Sequence, residues 1–185
     1  PLKIAIVVHG RFFAFDLSRE LIRQGHDVRI FTNYPKFIAQ KYGIPKTRVS
    51  NLVLHGIICR LIFFLNRLGV FPDCELFVHD WFSKWAEKSI CKEKWDAVLI
   101  FSGIAEDTFK ALSGKNTIKF LMRGSAHILT QSKLLKEEEQ RAQSRIQGPS
   151  DWMIDREERE YKLSDTILVL STFARNSFIA EGIAS

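Results

Sequence analysis

Cysteine is scarce in this chain and badly placed for cross-linking. Cys59, Cys74 and Cys91 make an odd set of 3, widely spaced, without a C-x-x-C pair or a partnering histidine at zinc spacing. Such a set argues for a reducing compartment, hence a cytoplasmic location, and against a disulfide framework or a structural metal site. Glycine is thin where it would count most. Gly10 stands alone after the first apolar run, where a dinucleotide fingerprint requires G-x-G-x-x-G, and this weighs against an NAD or FAD enzyme. No block of like charge is present either. The 27 Lys and Arg are scattered among 21 Asp and Glu, so the formal charge of +6, with a pI near 9.3, builds no nucleic-acid tail or arm. That balance suits phosphorylated ligands or an anionic membrane surface at least as well as nucleic acid. No apolar run is long enough to span a membrane, and the opening reads as a strand from Lys3 rather than as a signal peptide, with no initiator Met shown.

What is present is alternation. With 185 residues and 46% hydrophobic content, one domain with one full core is expected over residues 1–185. Apolar runs of β-type composition read as strands at 3–8 (KIAIVV), 28–32, 49–54, 95–101 (WDAVLIF), 117–122 and 167–170. Helical patterns separate them. The first, 13–24, turns Ala14, Leu17 and Leu21 inward and is closed by Gly25; the last puts Ala174 and Phe178 on one face and is closed by Gly182. Strand–helix alternation of this kind predicts an α/β fold, a Rossmann-like doubly wound parallel sheet with helices on both faces. The run 167–170, apolar throughout, is expected to be covered on both sides.

His9-Gly10 is the turn after the first strand. In such a sheet the ligand crevice lies at the carboxyl edge of the strands, which directs attention to two short sequences. Arg123-Gly124-Ser125-Ala126-His127 follows the fifth, joining a cation, a permissive glycine, a hydroxyl and an imidazole in a cluster suited to phosphate or hydroxyl groups. Ser171-Thr172 follows the sixth, where either hydroxyl caps a helix or lines the crevice. His127 taken alone reads first as a hydrogen-bonded structural residue, and its position at the predicted crevice brings a functional reading level with that one.

Two apolar stretches have more than one reading. The segment 57–71, IICRLIFFLNRLGVF, is too short to span a membrane and carries Arg60 and Arg67 on one helical face. It is a buried helix whose arginines snorkel, the reading we favour, or an interfacial helix on anionic lipid, which would make the protein peripheral on the inner membrane face. Phe77, Trp81 and Trp85, at four-residue spacing, read as core packing rather than as a base-stacking platform. The KEEEQR run within 133–145 reads as a solvated helix surface, and Ser150 or Asp151 as the cap of the next helix.

Two motifs now carry a resemblance. The opening KIAIVVHG with ELIRQGHDVRIFT is similar to the first β-α-β unit of GT-B glycosyltransferases. Glu160-Tyr161, Ser164-Asp165, Ser171-Thr172-Phe173 and Gly182-Ile183 resemble the end of their N-terminal domain, most closely in the retaining family 4 (group 1) enzymes. The resemblance implies one half of a two-domain enzyme that transfers a sugar from a nucleotide-sugar donor to a carbohydrate or glycolipid acceptor with retention, without a metal or other cofactor. A C-terminal donor-binding domain would complete it, so this chain alone is expected to be inactive. By the same resemblance Gly10 approaches the donor phosphate with its backbone, and His127 lies near the transferred sugar, positioning it rather than acting as nucleophile. By position alone, Arg123, Gly124 and Ser125 are candidate acceptor or phosphate contacts, and Ser171, which matches the family's serine after the last strand, lines the cleft or caps the helix beside Thr172. Many relatives carry a second glycine where Arg11 stands here, so Arg11 is a candidate phosphate contact. The alternatives are a stand-alone Rossmann-like module that binds a phosphorylated metabolite without catalysis, and a sugar-nucleotide epimerase on the same scaffold. Nucleic-acid binding ranks last, for want of a basic stripe.

Overall fold

Short runs rich in apolar and β-branched residues set the central strands, and their alternation with helices sets the layers. A computed structural model describes residues 1–68 and 74–183. In it β1 (Lys3–Val8), β2 (Asp27–Thr32), β3 (Val49–Asn51), β4 (Ala97–Phe101), β5 (Ile118–Arg123) and β6 (Thr166–Val169) form one sheet in the order β3-β2-β1-β4-β5-β6. Every pairing is parallel, with Ile4 opposite Val28 on one side and Ala97 on the other. This is the strand order of dinucleotide-binding Rossmann folds, reached here without their glycine fingerprint.

Successive residues of β1 point to opposite faces, so each face has its own core. Ala5 and Val7 pack with Phe82, Ala86, Ile100, Phe109, Leu121 and Phe178 on one side. Ile4, Ile6 and Val8 pack with Ala14, Phe15, Ile30, Leu99 and Met122 on the other. Each Val, Leu, Ile, Phe or Met among them, fully buried, contributes about 1.5–3 kcal/mol. Helices α1 (Ala14–Arg23) and α2 (Lys36–Lys41) cover the second core. The first is covered by α4 (Glu75–Ile90), α5 (Glu106–Ala111), α7 (Asp151–Leu163) and α8 (Thr172–Ala180). Helix α3 (Val53–Arg67) lies beyond β3, and α6 (Ile128–Ala142) follows β5. Gly25 and Gly182 close α1 and α8 in left-handed conformation, with φ of 90° and 87°. In both cases the glycine N–H and the one after it reach back to carbonyls of the last turn (Gly25 to Ile22, His26 to Leu21; Gly182 to Ile179, Ile183 to Phe178).

Four expectations need correction. The third strand stops at Asn51, because β3 is an edge strand paired only with Ile30, Phe31 and Thr32, and residues 53 and 54 already belong to α3. Strand β6, the opposite edge, is half-exposed rather than covered on both sides. Helix α3 is not a buried helix: Ile57, Leu61, Phe63 and Phe64 face solvent, and His55 is its buried residue among those described. Positions 69–71 of the same predicted segment lie outside the described residues. The aromatic stripe of α4 is only partly core. Phe82, Ser83, Ala86 and Ile90 form the buried face, while Trp81 and Trp85 sit at its margin and Phe77 is exposed.

Candidate functional site

The chain builds outward from β1 to β3, then returns to the middle to build β4 to β6, and the loops leaving β1 and β4 part at this reversal. Between them opens a cavity of about 620 Å³, lined among others by His9, His79, Ser102, Arg123, Gly124 and Glu157. A cavity of about 380 Å³ adjoins it, where His9 and Gly10 face Asn33, Cys59 and Arg60. Another of about 400 Å³ is lined by Gly124, Ser125 and Ser171, between α6 and α8. His9 links the first two and Gly124 the first and third, so a continuous belt follows the strand ends. A separate cavity of about 450 Å³ flanks the amino end of β6 near Asp165 and Thr166, away from this edge.

Gly10 adopts φ of 119°, open to glycine and strained for other residues, and its carbonyl accepts the Thr32 hydroxyl at 2.7 Å. Arg11 turns away from the belt. Its guanidinium donates to the Tyr42 hydroxyl at 2.6 Å and lies 4.8 Å over that ring, so the phosphate contact expected of it is directed elsewhere. Ser171 caps α8, accepting the Ala174 N–H at 3.1 Å, and still lines the third cavity. Thr172 opens the same helix with an exposed side chain and is not among the residues lining the belt.

Arg123 reaches the main cavity already partnered. Its Nε lies 2.9 Å from buried Glu157, and an outer nitrogen donates to Gln131 at 2.5 Å. The Tyr161 hydroxyl donates to the same Glu157 oxygen at 2.7 Å. Burial pushes the Glu157 carboxyl above its usual range, with Arg123 and Tyr161 opposing. Behind this pair, Glu160 is fully buried and accepts the backbone N–H groups of Gly103 at 2.7 Å, Ala105 at 2.7 Å and Glu106 at 3.1 Å. A carboxylate from α7 thus satisfies the donors at the start of α5 and fixes the β4 loop that floors the crevice. Burial raises its pKa to about 7 against those amides and Arg156. The sequence reads this stretch as polar and helix-permissive, and its inward-facing charges escaped notice because their partners, Asp107, Ser83 and the α5 amides, are distant in the chain.

His127 is 2% exposed. Its Nδ1 accepts the Leu129 N–H at 3.3 Å as the cap of α6, its own N–H donates to Ser177 at 2.8 Å, and its ring packs 4.8 Å from Tyr161 and 4.9 Å from Phe178. Burial lowers its pKa, which favours the neutral imidazole. Sequence reasoning missed the imidazoles that do face the belt. His9 stands 5.1 Å from His55 and 5.3 Å from His79, ring centre to ring centre. Burial, with the neighbouring imidazoles, lowers His9 to about 3, burial lowers His79 to about 4, and burial raises the Cys59 thiol to about 11. The signal lay in the four-residue step from His55 to Cys59, which puts both on one face of α3.

The sequence matches no protein-family model and no curated protein. Among solved structures, the fold is similar to a protein assigned as UDP-N-acetylglucosamine 2-epimerase from Listeria monocytogenes, with 11% identity and a TM-score of 0.58 over 98% of this chain and 42% of that one. It is also similar to the UDP-GlcNAc 2-epimerase from Methanocaldococcus jannaschii, with 14% identity and a TM-score of 0.55 over 99% of this chain and 43% of that one. The chain therefore spans less than half the length of either structure, and what it shares with both is the Rossmann-like α/β fold.

Proposed function

We propose that this chain is the acceptor-side domain of a two-domain, GT-B-type glycosyltransferase that moves a sugar from a nucleotide-sugar donor to a carbohydrate or lipid-linked acceptor with retention of configuration. The observation that carries the reading is the belt of cavities along the strand carboxyl ends, combined with the opening and closing motifs. In this reading a C-terminal domain holds most of the donor, and the Gly10 turn lets the chain's backbone approach the diphosphate. Arg123, oriented by Glu157 and Gln131, faces charge that develops on the leaving group, where a preorganised donor is most effective. His127 acts as a positioning residue, fixing the start of α6 and with it the Gly124–Ser125 lining. The exposed apolar residues of α3, with Arg60 and Arg67 on the same helix, supply a peripheral contact with anionic lipid, fitting a lipid-linked acceptor.

A second reading, epimerisation of a nucleotide sugar, is favoured by the two solved structures of similar fold. The full-length protein incubated with UDP-GlcNAc, with and without a lipid-linked acceptor, separates them by NMR. Acceptor-dependent UDP release with a retained anomeric configuration supports transfer. An epimer formed without acceptor supports the second reading. Nucleotide-sugar binding with no turnover in a panel of donors and acceptors would leave a metabolite-binding module and overturn both.

A further inference from the structure

Beside the crevice, two elements bring together a thiol and two imidazoles. His9 follows β1, and His55 and Cys59 stand one turn apart on α3, with the ligand atoms of all three within 4.8 Å of one another. Cys59 Sγ lies 3.8 Å from His9 Nε2 and 3.5 Å from His55 Nδ1. Zinc–sulfur and zinc–nitrogen bonds of about 2.3 Å and about 2.0 Å, meeting at a tetrahedral angle, place sulfur and nitrogen about 3.5 Å apart. The two sulfur–nitrogen separations lie within about 0.3 Å of that edge.

The surroundings hold the ligands as metal ligands are held. His55 Nε2 lies 2.9 Å from the Val78 carbonyl oxygen, to which it donates its hydrogen, which makes Nδ1 the unprotonated nitrogen. Sγ is also 3.6 Å from Nε2, so aiming Nδ1 at a shared centre asks the ring to turn about its outer bond, a broad torsion, at some cost to the Val78 contact. Next to the cluster, Asn33 Nδ2 lies 3.5 Å from His55 Nδ1, a long contact that a metal would displace, and Asn33 Oδ1 is buried without a hydrogen-bond partner. A buried carbonyl of this kind is a ready acceptor for a water held at a fourth coordination position. That position faces the cavity of about 380 Å³, which His9, Asn33 and Cys59 all line.

We propose that His9, His55 and Cys59 bind one zinc-type divalent cation whose fourth position opens toward this cavity. Two imidazoles and a thiolate are a borderline-soft donor set, which selects zinc over magnesium or calcium. On binding, the Cys59 S–H bond breaks, its proton passes to solvent, and the sulfur electron pair forms the bond to the metal, whose oxidation state is unchanged. The proposal departs from the expectation of no metal, which rested on cysteine spacing and on the family resemblance and not on this helix face.

The test uses the purified, chelator-stripped protein under reductant, titrated with Zn²⁺ against a chromophoric chelator and with Co²⁺ as an optical probe. The expected result is one equivalent bound, with Co²⁺ giving a thiolate-to-metal charge-transfer band and the intense visible bands of tetrahedral coordination. Cys59→Ser, nearly isosteric, should abolish the charge-transfer band and weaken Zn²⁺ by more than about 100-fold, beyond the roughly 10–100-fold typical of losing an outer partner. His9→Gln should weaken Zn²⁺ similarly, while Cys91→Ser, at an exposed thiol, should leave the titration unchanged. Circular dichroism checks that each variant is folded, and Cys59→Ser decides alone if His9→Gln is not. Failure to take up one equivalent, or uptake that Cys59→Ser leaves unchanged, overturns the proposal.

Discussion

Glu106 pairs with Arg159 through both carboxylate oxygens and with Lys110 one turn along α5. Burial opposes its charge, yet Arg159 and Lys110 prevail and hold its pKa down to about 2. The folded pKa lies below the unfolded one, so the unfolded chain takes up this proton first as pH falls. The stabilisation is therefore complete above about pH 4.5 and is lost on the way down to about pH 2. Glu106→Gln should lower stability at pH 7 by about 1.5–3 kcal/mol, with the gap to wild type closing in urea titrations repeated at progressively lower pH. Arg123→Ala should cost about 3–5 kcal/mol, because it leaves Glu157 buried without its cation; adding Glu157→Gln should recover part of that loss in a double-mutant cycle. For His127 the geometry separates cap from chemistry. Asparagine caps helices well and alanine poorly, so His127→Asn should keep nucleotide-sugar turnover within about tenfold of wild type while His127→Ala loses far more. Equal losses in kcat for the two, at unchanged melting temperature, would mean that the imidazole itself meets substrate.

Among the elements, β1, β2 and β4 were legible because strands buried on both faces of a parallel sheet demand apolar β-type runs. Gly124, Ser125 and Ser171 were legible as crevice positions, since strand ends in such a sheet mark the crevice. The Arg11–Tyr42 contact was not legible, because nothing in the sequence announces that Tyr42 stands ready to receive that guanidinium. Helix α3 was misread because its apolar letters resemble those of a core helix, and only the edge position of β3 decides that few neighbours reach it. What holds α3 down is local: a methyl group on Gly56 would collide with the Asn33 carbonyl oxygen at the end of β2. Gly56→Ala should therefore shift α3 outward and destabilise the fold by about 1–3 kcal/mol, measurable by thermal melts. It should also part Cys59 from His9, a loss visible in the Co²⁺ spectrum.

For the molecule as a whole, the exposed side chains of α3 set an uneven surface. Phe63 is 72% and Phe64 58% exposed, with Arg60 and Arg67 on the same helix and a net charge of +6 behind them. No helix among the described residues is long and apolar enough to cross a membrane. Co-sedimentation with anionic vesicles at low salt, lost in Phe63→Ser/Phe64→Ser and reduced at high salt, is the expected outcome; no binding at low salt ends the lipid reading. Glu160 carries a consequence of another kind. The amides it closes at Ala105 belong to a residue 55 positions earlier in the chain. At a synthesis rate of about 5–20 residues per second, that separation is roughly 3–11 s on the ribosome. Throughout that interval the β4 loop has emerged without the carboxylate that finishes it, a timed opening in which a chaperone or a protease can take hold of the nascent chain.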